Sequence, residues 1–173
     1  MRTLTHEELA ALPQGDVRLL DCDIAQNLLT STELARVAYV AADATPRVFA
    51  MLFHWTGHEV VLSTFVPAGK IAALRARPEV AITIDRAAAQ PQALLLRGRA
   101  QVTEMDGIVP EYALALHRYG GAEQAAVQVA AVDVPGVRMA RIVVRPSWVG
   151  VLDFQTRFPG GSTAAGFARR GQA

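Results

Sequence analysis

Arg47-Val-Phe-Ala-Met-Leu-Phe-His-Trp-Thr-Gly-His-Glu-Val-Val-Leu-Ser-Thr-Phe-Val-Pro-Ala-Gly-Lys70 is the stretch whose reading decides the fold of this chain. It divides into two β-strands joined at Gly57, followed by a loop of small residues that ends in a lysine at a helix start. Val48 to Phe53 is apolar at every position, whereas a strand with one wet face alternates. Both faces are therefore expected to be covered, one by a barrel or sandwich core and the other by a ligand or a second subunit. A helix start exposes unpaired N–H groups and the positive end of the dipole. The hydroxyl pair Ser63 and Thr64, with Lys70 at the helix mouth, thus forms a candidate phosphate site. A lone cation is disfavoured at that end of a helix, which points further to a bound anion.

Working outward, Thr5 and Glu8 form a capping box for a short first helix, and a second helix begins near Asp23. Arg36 to Val40 is a strand that ends in the polar turn Asp43 to Pro46. Beyond Lys70, a two-turn helix with Ile71 and Leu74 facing inward stops at Pro78, and Val80 to Ile84 is a strand. Ala93 to Thr103 is a long strand whose Gly98 marks a bulge or the close approach of a ligand or another backbone. Helices follow around Pro110 to Tyr119 and Ala122 to Val132, and Met139 to Arg145 and Trp148 to Asp153 are strands separated by Pro146. Short connections, interrupted once by helices, point to a mainly β fold: a closed antiparallel barrel of about six strands with helices over its ends.

The 173 residues suffice for one domain, read as 1–158 with its N-terminal helices, and 159–173 read as a flexible tail. Hydrophobic residues make up 51% of the chain, more than a solitary domain needs, which points to a subunit interface. The net charge of +1 without a dense basic run gives no case for nucleic acid or a membrane surface. No apolar run spans a bilayer and the N-terminus lacks a secretory apolar core, so the expected location is cytoplasmic. The single cysteine, Cys22, excludes an internal disulfide, and Asp21 and Asp23 beside it are expected to raise its pKa. His54 and His58 flank the hairpin turn without a third metal ligand and read as solvated turn residues, so no metal site is assigned. Nothing forms a catalytic triad or carboxylate pair, and no catalytic residue is assigned.

The ordered pattern of hairpin, Ser-Thr, small loop and Lys70 continues with Ala-Leu-Arg-Ala-Arg-Pro-Glu-Val-Ala-Ile (73–82) and Leu-Arg-Gly-Arg-Ala-Gln-Val (96–102). It closes on Arg-Ile-Val-Val-Arg-Pro-Ser-Trp-Val-Gly-Val-Leu-Asp-Phe (141–154). Together these resemble the pyridoxamine 5'-phosphate oxidase-like split barrels that bind FMN or a deazaflavin, over roughly residues 24–158. The resemblance implies a six-stranded antiparallel split β-barrel of Greek-key type. It implies that Arg47, Val48, Phe49, Ala50 and Met51 line the flavin ring, that Ser63 and Thr64 lie by the phosphate or ribityl chain, and that Lys70 binds the phosphate. It also implies that Arg157, in the closing Arg157-Phe158, contacts the cofactor.

The departures matter as well. The vitamer oxidases carry a lysine near Leu52, an Arg-x-His before the closing Arg-Phe, and an Arg-Lys pair where this chain has Gly69-Lys70. Cofactor anchoring is thus kept while the grip on pyridoxamine phosphate is lost, and a less charged small-molecule substrate is expected. The expected protein is a homodimer, motivated by the doubly apolar stretch Val48 to Phe53, that binds FMN at its interface and transfers a hydride to or from that substrate. A flavin ring carries the hydride itself, so the missing nucleophile is compatible with this reading. A deazaflavin-dependent reductase is the alternative, with Arg75, Arg77, Arg169 or Arg170 meeting a longer anionic tail. A non-catalytic flavin- or haem-binding protein is the other.

Overall fold

Leu52 is where the structure departs most from that reading. In the computed structural model, which describes residues 5–158, the apolar run does not form one strand. It ends β2 (Pro46–Met51), steps at Leu52, and starts the short β3 (Phe53–Trp55). The remaining strands are β1 (Ala35–Val40), β4 (Val60–Phe65), β5 (Glu79–Arg86), β6 (Gln92–Asp106) and β7 (Arg138–Leu152). They form one seven-stranded sheet in the order β2-β1-β5-β6-β7-β4-β3. The sheet is open, with β2 and β3 at its two edges, so the expected closed barrel is a split one. Only Leu52 lies between the edge strands, so their ends cannot part by more than about 7 Å, the span of two residues.

The helices are α1 (His6–Ala11), α2 (Asp23–Leu29), α3 (Gly69–Ala76) and α4 (Pro110–Val132), with a 3-10 turn at Val17–Asp21 that the sequence reading lacked. The capping box at α1 is present, with the Thr5 hydroxyl accepting from the Glu8 amide at 3.2 Å and the Glu8 carboxylate accepting from the Thr5 amide at 2.8 Å. The two helices expected after β6 run on as α4, broken by Gly121 at φ 81°, a conformation that glycine adopts without steric cost. No described helix is long and apolar enough to cross a membrane. The expected tail, with Arg169 and Arg170, lies outside the described residues.

Pro146 does not split the last strand, and β7 runs unbroken through it. The ladder between β7 and β4 ends where Val144 faces Val60, so a proline two residues further on removes no bond from that pairing. Gly98 in β6 is required by close approach. A Cβ there would lie 2.6 Å from the carbonyl oxygen of Arg145, so a neighbouring backbone occupies the space of a side chain.

Backbone contacts separate the described residues into two compact units, 5–33, 83–96 and 147–158 forming one and 34–82 and 97–146 the other. The first has a core of Leu19, Leu28, Leu29, Ile84, Leu94 and Val151, all essentially inaccessible. In it the Gln14 side chain both donates to and accepts from the Val151 backbone, at 2.6 and 2.8 Å, as a neighbouring strand would. The second packs α3 onto its strands through Ile71 and Leu74, around Phe53, Leu62, Ile82 and Ile142.

Candidate functional site

The second unit holds a cavity of about 320 Å³, a size at the lower end for small-ligand pockets. One wall is the step between the edge strands: Ala50, Met51 and Leu52. Val61 and Ser63 of β4 form another, and alternation along a strand puts these two on the same face. Lys70 of α3 contributes the cation, and Glu111, Tyr112 and Ala115 of α4 complete the lining.

Lys70 is held by neutral groups. Its ammonium donates to the Thr64 hydroxyl at 3.1 Å and lies 5.0 Å from the centroid of the Phe49 ring. It makes no ion pair with a carboxylate among the described residues. The adjacent end of α3 has Ala68 at its N-cap with no side-chain cap and no acidic residue in the first turn. The Ser63 hydroxyl likewise makes no hydrogen bond among the described residues. A half-buried cation beside an unused hydroxyl and uncapped amides has the chemistry of an anion site, so the residues present fit a phosphate.

The opposite chemistry comes from α4. Ser63 faces Arg141 of β7 in the ladder, which puts Arg141 on the cavity side of the sheet. From there its Nε and Nη2 both donate to Oε1 of Glu111, at 2.9 and 2.6 Å. This pairing, aided by the glutamate's own amide and opposed by burial, holds the Glu111 carboxyl below its ordinary pKa. His54, opposite the cavity-lining Val61, is half-buried on β3 rather than solvated in the turn. Burial, and secondarily Arg118, lowers its pKa, while Glu111 opposes. Arg118 of α4 donates to the Phe53 carbonyl and stacks over the Phe53 ring with its guanidinium carbon 4.3 Å from the centroid, covering the edge of β3.

Of the residues named from the sequence, the cavity brings together Ala50, Met51, Ser63 and Lys70, with Phe49 and Thr64 against the lysine. Arg47 pairs with Asp43 across 2.8 Å at the preceding turn, and Val48 is 66% exposed on the edge strand, so the face expected to be covered is open in a single chain. Arg157 belongs to the first unit, where its guanidinium donates to the carbonyls of Leu9 and Leu12 at 2.7 and 3.2 Å and ties down the end of α1. In the same unit Cys22 has a raised pKa, but burial is the main cause and Asp23 a minor one. Sequence reasoning missed Glu111, Tyr112 and Ala115, whose spacing of three and four residues on a helix marks one face. Among the described residues no cluster of ligands could hold a metal ion.

No protein-family model and no curated protein matches the chain. Solved structures do. An F420 reductase is 26% identical, with 70% of this chain and 91% of that one covered at a TM-score of 0.51. A putative pyridoxamine 5'-phosphate oxidase from Listeria innocua is 17% identical over 76% of this chain and 97% of its own, at 0.55. A heme binding protein from Mycobacterium smegmatis is 19% identical over 76% of this chain and 53% of its own, at 0.53. The open sheet, its flanking helices and these neighbours agree: the chain has the split-barrel fold of the pyridoxamine 5'-phosphate oxidase-like and F420 reductase structures.

Proposed function

We propose that the cavity beside Lys70 binds a flavin-type cofactor, with FMN as the first choice, and that the protein is an oxidoreductase acting on a small organic substrate. The observation that carries this reading is the Lys70 ammonium, held by a hydroxyl and an aromatic face rather than by a carboxylate. Lys70 and the Ser63 hydroxyl would hold the phosphate, Thr64 would keep the lysine aimed, and the edge at Ala50 and Met51 would cover the ring and keep water from it. The bound flavin supplies the acceptor or donor of hydride. The same reading makes the chain a homodimer, with the exposed edge strand β2 and its Val48 against a second copy.

A deazaflavin is the second reading, favoured by the 26% identity to an F420 reductase. Against it, two cations expected to meet a longer anionic tail are engaged: Arg75 pairs with Glu104 at 2.7 Å and Arg77 donates to the Ala41 carbonyl at 3.1 Å. An absorption spectrum of the purified protein, followed by parallel titrations with FMN and F420, decides between them. Binding of neither cofactor at tens of micromolar overturns the proposal, and a Soret band from bound haem would redirect it to a binding protein.

A further inference from the structure

We propose that Glu111 is a specificity-determining residue of this cavity, its Oε2 accepting an N–H from a small substrate of the amide or N-heterocycle class. The inference rests on the flavin-type reading above, because that reading assigns the β2 edge and the Lys70 wall to the cofactor and leaves the α4 wall to the substrate.

The geometry is specific. Both Arg141 donors converge on Oε1, and Oε2 accepts no hydrogen bond from any other described residue, although the side chain is only 15% exposed and lines the cavity. A carboxylate has several lone-pair sites, and Arg141 and the glutamate's own amide do not fill them all, so this largely buried cavity-lining side chain keeps acceptor capacity for a ligand. Arg141 keeps the carboxyl ionised, so Oε2 can accept and cannot donate. An ester, ketone or carboxylate oxygen placed against it meets only repulsion. Arg141 also cancels the local charge, so the selected group needs an N–H and not a positive charge. Leu52, Tyr112 and Ala115 offer apolar surface for the body of such a molecule.

The test uses the full chain, with and without saturating FMN, and two probes of similar size: benzamide, which carries an N–H, and methyl benzoate, which does not. Ligand-observed NMR titration is expected to give benzamide about tenfold tighter binding in the wild type, the order of one hydrogen bond to a charged acceptor. Glu111→Gln should bring the two probes within about threefold while leaving the FMN dissociation constant within about twofold. A wild-type preference below twofold overturns the inference, and this arm requires no variant to fold. A preference that survives in Glu111→Gln also overturns it. FMN binding weakened more than fivefold in that variant does so too, by returning Glu111 to the cofactor. If neither FMN nor F420 binds but the benzamide preference is intact and Glu111-dependent, the cofactor reading fails and the donor-selective site stands.

Discussion

Replacing Lys70 with alanine removes the one cation among the described residues that line the cavity, and the structure sets the size of the effect. A hydrogen bond to a charged group contributes about 1.5–3 kcal/mol, and each 1.4 kcal/mol is tenfold in affinity. Lys70→Ala should therefore weaken FMN binding by roughly 10- to 150-fold, towards the lower figure as salt screens the half-buried charge. Folding should not suffer. Lys70 is the second residue of α3, where a cation opposes the helix dipole by about 0.3–1 kcal/mol, and the bonds lost are one to a hydroxyl and one ring contact. The assay is quenching of flavin fluorescence, with FMN and riboflavin titrated in parallel at two ionic strengths. Riboflavin lacks the phosphate, so its dissociation constant should change less than about threefold while that of FMN rises at least tenfold. An equal loss for both ligands, or no loss for FMN, refutes the assignment of Lys70 to the phosphate.

Three further outcomes are expected. Gly98→Ala forces a Cβ to within 2.6 Å of the Arg145 carbonyl oxygen, and since a backbone atom yields little, it should cost about 1–3 kcal/mol by urea unfolding; a neutral result would contradict the close approach. Glu111 has a folded pKa depressed chiefly by Arg141, so its contribution to stability is complete above the ordinary glutamate value of about 4.3 and is lost as pH falls through the lower folded value. The gap in Tm between wild type and Arg141→Met should accordingly shrink as pH drops from 6 to 3, and a constant gap would show that the pair is not the cause. Val48→Asp, at an exposed position of the edge strand, should leave the circular dichroism unchanged and convert a dimer to a monomer in light scattering at about 10 µM; a monomeric wild type removes the homodimer from the proposal.

Local chemistry was the most legible in the sequence. The capping box at Thr5 and Glu8, the inward face of α3 at Ile71 and Leu74, and the close backbone approach at Gly98 each follow from a few neighbouring residues, and each stands in the structure. Sheet edges were not legible. In Val48 to Phe53 every residue is apolar, so no alternation marks the step at Leu52 where one edge ends and the other begins. Pro146 misled for a related reason: a missing N–H breaks a strand only where a partner needs it, and the end of the β4–β7 ladder at Val144 cannot be read from β7 alone. The α4 wall was hidden by distance along the chain. Glu111 lies some forty residues after Lys70, and only the ladder that sets Arg141 opposite Ser63 brings its partner to the same cavity.

The step at Leu52 has a thermodynamic consequence. The two edge strands are tied by a single residue and have no ladder between them, and the cavity touches that step at Ala50, Met51 and Leu52. A molecule seated there rests on the place where the hydrogen-bonded sheet is interrupted, so occupancy and the ordering of the two edges become one linked equilibrium. At a hundredfold excess over its dissociation constant a ligand stabilises the folded state by about 2.7 kcal/mol. That stabilisation should appear first as slowed amide exchange between Ala50 and Phe53, which makes the step between the two edges a reporter of occupancy.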